Sequence, residues 1–170
     1  MTVGVENLIF RYLDTDGDGS GTKNAIGDYS VTPTDFYIQD ATANIHLNRM
    51  LVTVEDSGAF DAEHYGNGVT LTNGIKVSVT DAEDNELIDL TDGLVIHTNA
   101  DWGRQCYDVD VKTWGTGDEV ALVRWTFDRT GHPLIITRNK KLKVTLNDDL
   151  TALVGHFFQV QGWRIPRATA

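Results

Sequence analysis

Apolar residues in this chain recur mainly at every second position, in short runs separated by Gly, Asp, Asn and Pro. Between residues 117 and 127, Ala121, Val123, Trp125 and Phe127 share one side, and Val120 and Leu122 share the other until it turns polar at Arg124 and Thr126. A helix would scatter that set around its circumference. Turn chemistry bounds the run at Trp114-Gly115-Thr116-Gly117-Asp118 and at Asp128-Arg129-Thr130-Gly131-His132-Pro133. The pattern predicts a central strand with both sides buried or half buried.

The same period predicts further strands at residues 6–13, 35–39, 45–55, 75–80, 86–90, 94–98, 107–114, 134–137, 142–146 and 155–163. Residues 75–80 read as the clearest half-exposed strand, with Ile75, Val77 and Val79 inward and Lys76, Ser78 and Thr80 outward, and 86–90 as its hairpin partner. Residues 107–114 are expected beside the central strand. Residues 134–137 and 142–146 are expected to pair with each other, with Leu142, Val144 and Leu146 inward and Lys141, Lys143 and Thr145 outward. The run 45–55 changes phase. Ile45, Leu47, Arg49 and Leu51 share one parity and Met50, Val52 and Val54 the other, which calls for a bulge near Arg49 or a strand that moves between two sheets.

Short helical turns are expected at 98–106, where Thr98 or Asn99 can cap, and as alternatives to loops at 56–68 and 147–151. Turn signals every 8–12 residues then define the class: all-β, an antiparallel β-sandwich or jelly roll with one or two short helical turns. The whole of 1–170 reads as one domain, with an N-terminal arm and a short tail from residue 164.

Composition narrows the function. The 170 residues are 41% hydrophobic and 23% charged, as a folded soluble domain should be. A formal net charge of −11, from 14 Lys and Arg against 25 Asp and Glu, makes nucleic acid an unsuitable partner. A single cysteine, Cys106, excludes an internal disulfide and reads as a small buried hydrophobe. The N-terminal residues lack the pattern of a signal peptide, and no run of 18 apolar residues occurs, so a cytoplasmic, non-membrane protein is expected.

Chemistry-bearing motifs are few. Asp14-Thr15-Asp16-Gly17-Asp18-Gly19 matches the first half of a calcium loop, with Asp14, Asp16 and Asp18 at ligand positions one, three and five. Ala25 stands at the twelfth position, where a bidentate Glu is required. The segment is therefore either a solvated hairpin tip or a partial Ca²⁺ site completed by a group such as Asp28. His46, His64, His97, His132 and His156 fall in no metal-hydrolase spacing, and no nucleophile motif surrounds Cys106. No enzyme is expected. Trp102, Trp114, Trp125 and Trp163 raise sugar stacking as a second possibility, although Trp125 and Trp163 lie in strands beside other apolar residues.

Several segments carry a resemblance. Leu71-Thr72-Asn73-Gly74-Ile75, Asp89-Leu90-Thr91-Asp92-Gly93, Thr98-Asn99-Ala100-Asp101-Trp102, Cys106-Tyr107-Asp108-Val109-Asp110-Val111, Trp114-Gly115-Thr116-Gly117-Asp118-Glu119, Arg124-Trp125-Thr126-Phe127 and Leu146-Asn147-Asp148-Asp149 resemble stretches of tailed-bacteriophage virion structural proteins. The opening Gly4-Val5-Glu6-Asn7, with the Asp-Gly loop, is similar to the start of such proteins. The resemblance brings no residue-level motif. It implies a head decoration or cement protein on the capsid surface, made in the host cytoplasm, commonly trimeric and bound to the major capsid protein. A carbohydrate- or receptor-binding module of the virion tail or fibre is the alternative. On the decoration reading, the arm 2–9 and the tail 162–170 are the expected contact elements. Val3, Val5, Leu8, Ile9, Trp163 and Ile165 are the apolar residues they offer.

Overall fold

A computed structural model describes residues 8–12, 25–56, 72–73, 75–90, 107–114, 118–127 and 133–166. They form two antiparallel sheets around one apolar core, with ten strands among the described residues and no helix. The first sheet contains β1 (Leu8–Tyr12), β3 (Ala43–Asp56), β6 (Tyr107–Trp114), β7 (Asp118–Thr126), β8 (Leu134–Ile136) and β10 (Gly155–Pro166). Its order is β1-β10-β3-β7-β6, with β8 on β3. The second sheet, from β2 (Thr34–Ile38), β4 (Ile75–Asp81), β5 (Glu86–Asp89) and β9 (Lys140–Leu146), has the order β2-β9-β4-β5.

Alternation dictates which residues meet between the sheets. Leu142, Val144 and Leu146 of β9 join Phe36 and Ile38 of β2 and Ile75, Val77 and Val79 of β4. Opposite them stand Ile45, Leu47, Met50 and Val52 of β3, Ile136 of β8, and Phe158 and Val160 of β10. Phe36 and Phe158 stack across the gap with ring centroids 5.2 Å apart and planes at 24°. Each is fully buried, so truncating either to Ala would cost about 3–5 kcal/mol.

The phase change in β3 is a bulge at Asn48. Gln161 pairs with Arg49 and Gly162 with Leu47, leaving Asn48 as the extra residue. Before it, Ala43, Ile45 and Leu47 face the core; after it, Met50 and Val52 do. The bulge also divides the far edge of β3. Residues 49–56 pair with β7, and Ile45, His46 and Leu47 pair with β8.

This division corrects two expectations. The run 117–127 is internal, as β7 between β3 and β6, but β3 is the middle of the sheet. Residues 134–137 do not pair with 142–146: β8 completes the edge that β7 leaves open on β3, and the chain then turns through the Lys140 N–H to Thr137 C=O bond into the other sheet. Backbone groups of a long strand must be paired somewhere, and β7 is too short to serve all of β3.

Two local expectations also change, and one alternative is decided. Ser78 and Thr80 are 2% and 1% exposed rather than outward and solvated. They lie in register with Lys143 and Lys141 on one side and with Asp89 and Glu86 on the other, and stems of long charged side chains cover small neighbours. Of the loop and the helical turn expected as alternatives at 147–151, the loop is the one formed, because the Asp149 carboxylate accepts the Thr151 N–H and Oγ1–H and competes with helix formation. The tail begins later than residue 164, since Arg164, Ile165 and Pro166 pair with Ile45, Asn44 and Ala43. The loop or helical turn expected at 56–68, beyond Asp56 at the end of β3, the helical turn at 98–106 and the strand at 94–98 lie outside the described residues. The 75–90 hairpin is as expected; its turn is closed by Asp81, whose carboxylate accepts the N–H groups of Glu83 and Asn85, and Asp84 adopts φ 67°.

The bulge requires a glycine opposite it. A Cβ on Gly162 would stand 2.0 Å from the His46 carbonyl oxygen and 2.9 Å from Leu47 Cα, both backbone atoms that cannot turn aside. At Gly27 the nearest atoms are the far end of the Tyr29 ring, at 2.9 Å. Gly162→Ala should therefore lower unfolding free energy in urea by about 3 kcal/mol, and Gly27→Ala by less than about 1 kcal/mol. Equal costs would contradict this account of the bulge.

Candidate functional site

The register places one aromatic and apolar row on the outside of the first sheet. Trp163 of β10 pairs with His46 of β3, and His46 pairs with Ile135 of β8. Side chains at paired positions project from the same face, so three strands contribute to one row. Trp163 and His46 stack, with centroids 5.9 Å apart and planes at 23°. Burial under this stack lowers the His46 pKa from its ordinary value, so the imidazole stays neutral at pH 7. Ile135 is 46% exposed, and Ile165, two residues beyond Trp163 on the same side, is 42% exposed.

One ion pair ties the β2–β3 turn to the end of β10. Asp40, in the β2–β3 turn, accepts N–H bonds from Thr42 and Ala43 at 2.8 and 3.0 Å and pairs with the Arg164 guanidinium through Nε. The same guanidinium donates to Thr42 Oγ1. The Arg164 hydrogen bond holds the Asp40 carboxyl far below the usual carboxylate range, against the opposing effect of burial. The clamp joins the β2–β3 turn to the last residues of β10, beside Trp163 and Ile165.

The outer face of the second sheet is of opposite character. Lys143 pairs with Asp35 at 3.0 Å, Lys141 with Asp84 at 2.8 Å, and Lys76 with Glu86 and Asp89 at 2.7 and 3.3 Å. Tyr37 lies among them, its ring under Lys141 Nζ at 4.9 Å and its hydroxyl donating toward Asp35 and Asp84. Burial first, and then those two carboxylates, push its phenol pKa up to about 12. Thr145 Oγ1 donates to Asp35. These charges are satisfied within the sheet, and the face offers no apolar anchor beyond Leu87 and Ile88 on β5.

The structure treats the expected contact residues unequally. Trp163 and Ile165 meet on one face. Leu8 lies at the register position opposite Trp163 and Ile9 opposite Gly162, so these two are consecutive members of a paired strand. Val3 and Val5 lie outside the described residues, as do Asp14, Asp16 and Asp18. Asp28, the suggested completing ligand, accepts the Ser30 N–H and Oγ–H, and these bonds lower its pKa. Among the described residues no three His, Cys, Asp or Glu groups converge as a metal site would require. His46 and Ile135 were not singled out by sequence. Their parity marks them as outward, but only the pairing of β10, β3 and β8 brings them to Trp163.

No protein-family model, curated protein or solved structure matches the chain.

The Asp40 clamp makes a pH-dependent prediction. Its folded pKa is depressed, so its stabilisation is present above the ordinary carboxylate value near 3.8 and is lost as pH falls through the folded value. Asp40→Asn should destabilise the protein by about 1.5–3 kcal/mol at pH 7, and the difference from wild type should shrink in urea titrations carried out below pH 4. A difference that stays constant with pH would contradict a charged clamp.

Proposed function

We propose that the protein is a non-enzymatic structural component of a tailed-phage particle, a head decoration or cement protein that binds the major capsid protein through the outer face of its first sheet. The observation that carries this reading is the contrast between the two faces. One presents Trp163, His46, Ile135 and Ile165 in adjacent register positions; the other is crossed by its own ion pairs, with exposed apolar residues only on β5. Interfaces are anchored by aromatic and apolar groups surrounded by polar ones, and a half-buried tryptophan held rigid by stacking loses little entropy on binding. The resemblance to virion structural proteins supplies the partner class. A homotrimer at capsomer junctions would multiply a weak single contact through avidity.

A second reading is favoured by one feature. Trp163 lies on a sheet face with the side chains of Gln161 and Asn44 on the same side, an aromatic platform with flanking amides of the kind that holds a sugar ring.

Ile135→Asp combined with Ile165→Asp changes exposed side chains alone. The double variant should keep its melting temperature and lose at least about tenfold in affinity for empty heads in co-sedimentation, since roughly 1.4 kcal/mol of interface energy is a factor of ten. Lys76→Ala, on the other sheet, should bind as wild type does. Undiminished binding by the double variant would reject this face. Absence of head binding by wild type, with Trp163 fluorescence quenched by glycans, would favour the second reading.

A further inference from the structure

Cations in this chain are treated in two ways. Lys76, Lys141 and Lys143 on the second sheet each meet a carboxylate, and Arg164 meets Asp40. Arg49, Arg138 and Lys140 are exposed and have no ion-pair partner among the described residues. Where 25 Asp and Glu outnumber 14 Lys and Arg, cations that meet no carboxylate mark places from which acidic residues are missing.

Two of these three flank the aromatic row. Arg49 is the first residue after the bulge, and because Met50 and Val52 face the core it projects to the outer side of the first sheet. It pairs with Gln161, two residues before Trp163 on the same side of β10, so the Arg49–Gln161 rung adjoins the rung of His46 and Trp163. Arg138 stands at the other margin, in the turn that leaves β8, two residues past Ile136, which pairs with Ile45. Lys140 shares that turn but begins β9, in register with Asp81 of the second sheet. Between Arg49 and Arg138 the outer positions of β10 and β3 are Gln161, Trp163, His46, Ile165 and Asn44, none of them acidic.

We propose that the surface meeting this row is acidic: Arg49 and Arg138 bracket the apolar anchors and take carboxylates of the major capsid protein. This rests on the particle reading and specifies the chemistry of the partner.

The residue type fits the task. A guanidinium is weakly hydrated and offers a planar fork that matches a carboxylate, so it exchanges water for such a partner more readily than an ammonium does. The lysines stand on the face whose carboxylates are its own, and the two arginines stand beside Trp163 and Ile135. Charges around an apolar centre act chiefly on partner choice and orientation. A net charge of −11 repels an acidic lattice at a distance, and the 81–89 hairpin concentrates that repulsion with Asp81, Glu83, Asp84, Glu86 and Asp89. An acidic partner is therefore approached with the first sheet forward and that hairpin away from it.

Co-sedimentation with empty heads tests this with four full-length proteins: wild type, Arg49→Gln with Arg138→Gln, Arg49→Lys with Arg138→Lys, and a neutral change to the row, Ile135→Ser with Ile165→Ser. Both arginines are exposed, so all melting temperatures should agree. The Gln pair should lose about tenfold in affinity and the Lys pair, which keeps the charge, less than about threefold. With the Lys pair on heads, carbodiimide should join the side-chain amines at positions 49 and 138 to Asp or Glu of the major capsid protein as amides, the carbodiimide leaving as its urea. Binding by the Gln pair equal to wild type, with binding lost in the Ser pair, would overturn the acidic partner and leave the row as the docking face. Equal losses in the Gln and Lys pairs, or amides formed only with other copies of this chain, would overturn it as well. Absence of head binding by the wild type, or undiminished binding by the Ser and Gln pairs alike, would overturn the docking face and this inference together.

Discussion

The extra residue at Asn48, set against Gly162, is the constraint on which the remaining structure depends. A strand of the length of β3 with strict alternation would send Ile45 and Leu47 to one face and Met50 and Val52 to the other. The bulge returns all four to the core. It also ends the β7 ladder, opens an edge that β8 fills, and brings the backbone of β3 so close to β10 that only glycine fits. Because the β10–β3 register shifts by one residue at the bulge, Trp163 comes to lie against His46 on the solvent side. The packing of the core and the composition of the outer row thus follow from one inserted position.

The two outer faces show how an acidic chain distributes its charge. On the second sheet, lysines of β9 and β4 alternate with carboxylates of β2, β5 and the 81–85 turn, so cross-strand attraction replaces apolar burial. Exposed pairs of this kind add little stability individually. They do satisfy the lysines of β9 and β4 within the sheet, with Leu87 and Ile88 left exposed on β5. On the first sheet, the Asp40–Arg164 clamp ties the β2–β3 turn to the end of β10, and the aromatic row on the other side of β10 stays uncovered.

Much of the fold was legible in period-two alternation, because a strand with one face on a core must alternate. The strands from 107–114 and 142–146 appear with nearly the expected ends, and the phase change near Arg49 is the bulge itself. What periodicity does not contain is pairing. The partner of β8 depends on how much of β3 is already occupied by β7, a property of the assembled sheet. Ser78 and Thr80 are buried by neighbours on other strands, which small polar residues cannot signal in their own segment. The candidate site divides in the same way: Trp163 and Ile165 are conspicuous as apolar residues late in the chain, whereas His46 and Ile135 join them only through cross-strand register.

The central claim is that the outer row of the first sheet, rather than the ion-paired face of the second, meets the capsid. Its most direct measurement is photo-crosslinking of decorated heads, with a diazirine side chain placed in turn at Ile135, Ile165 and Thr145. Adducts with the major capsid protein from positions 135 and 165, and none from 145, are the predicted result. Adducts from position 145 alone, or none from either position on the first sheet, would contradict the account.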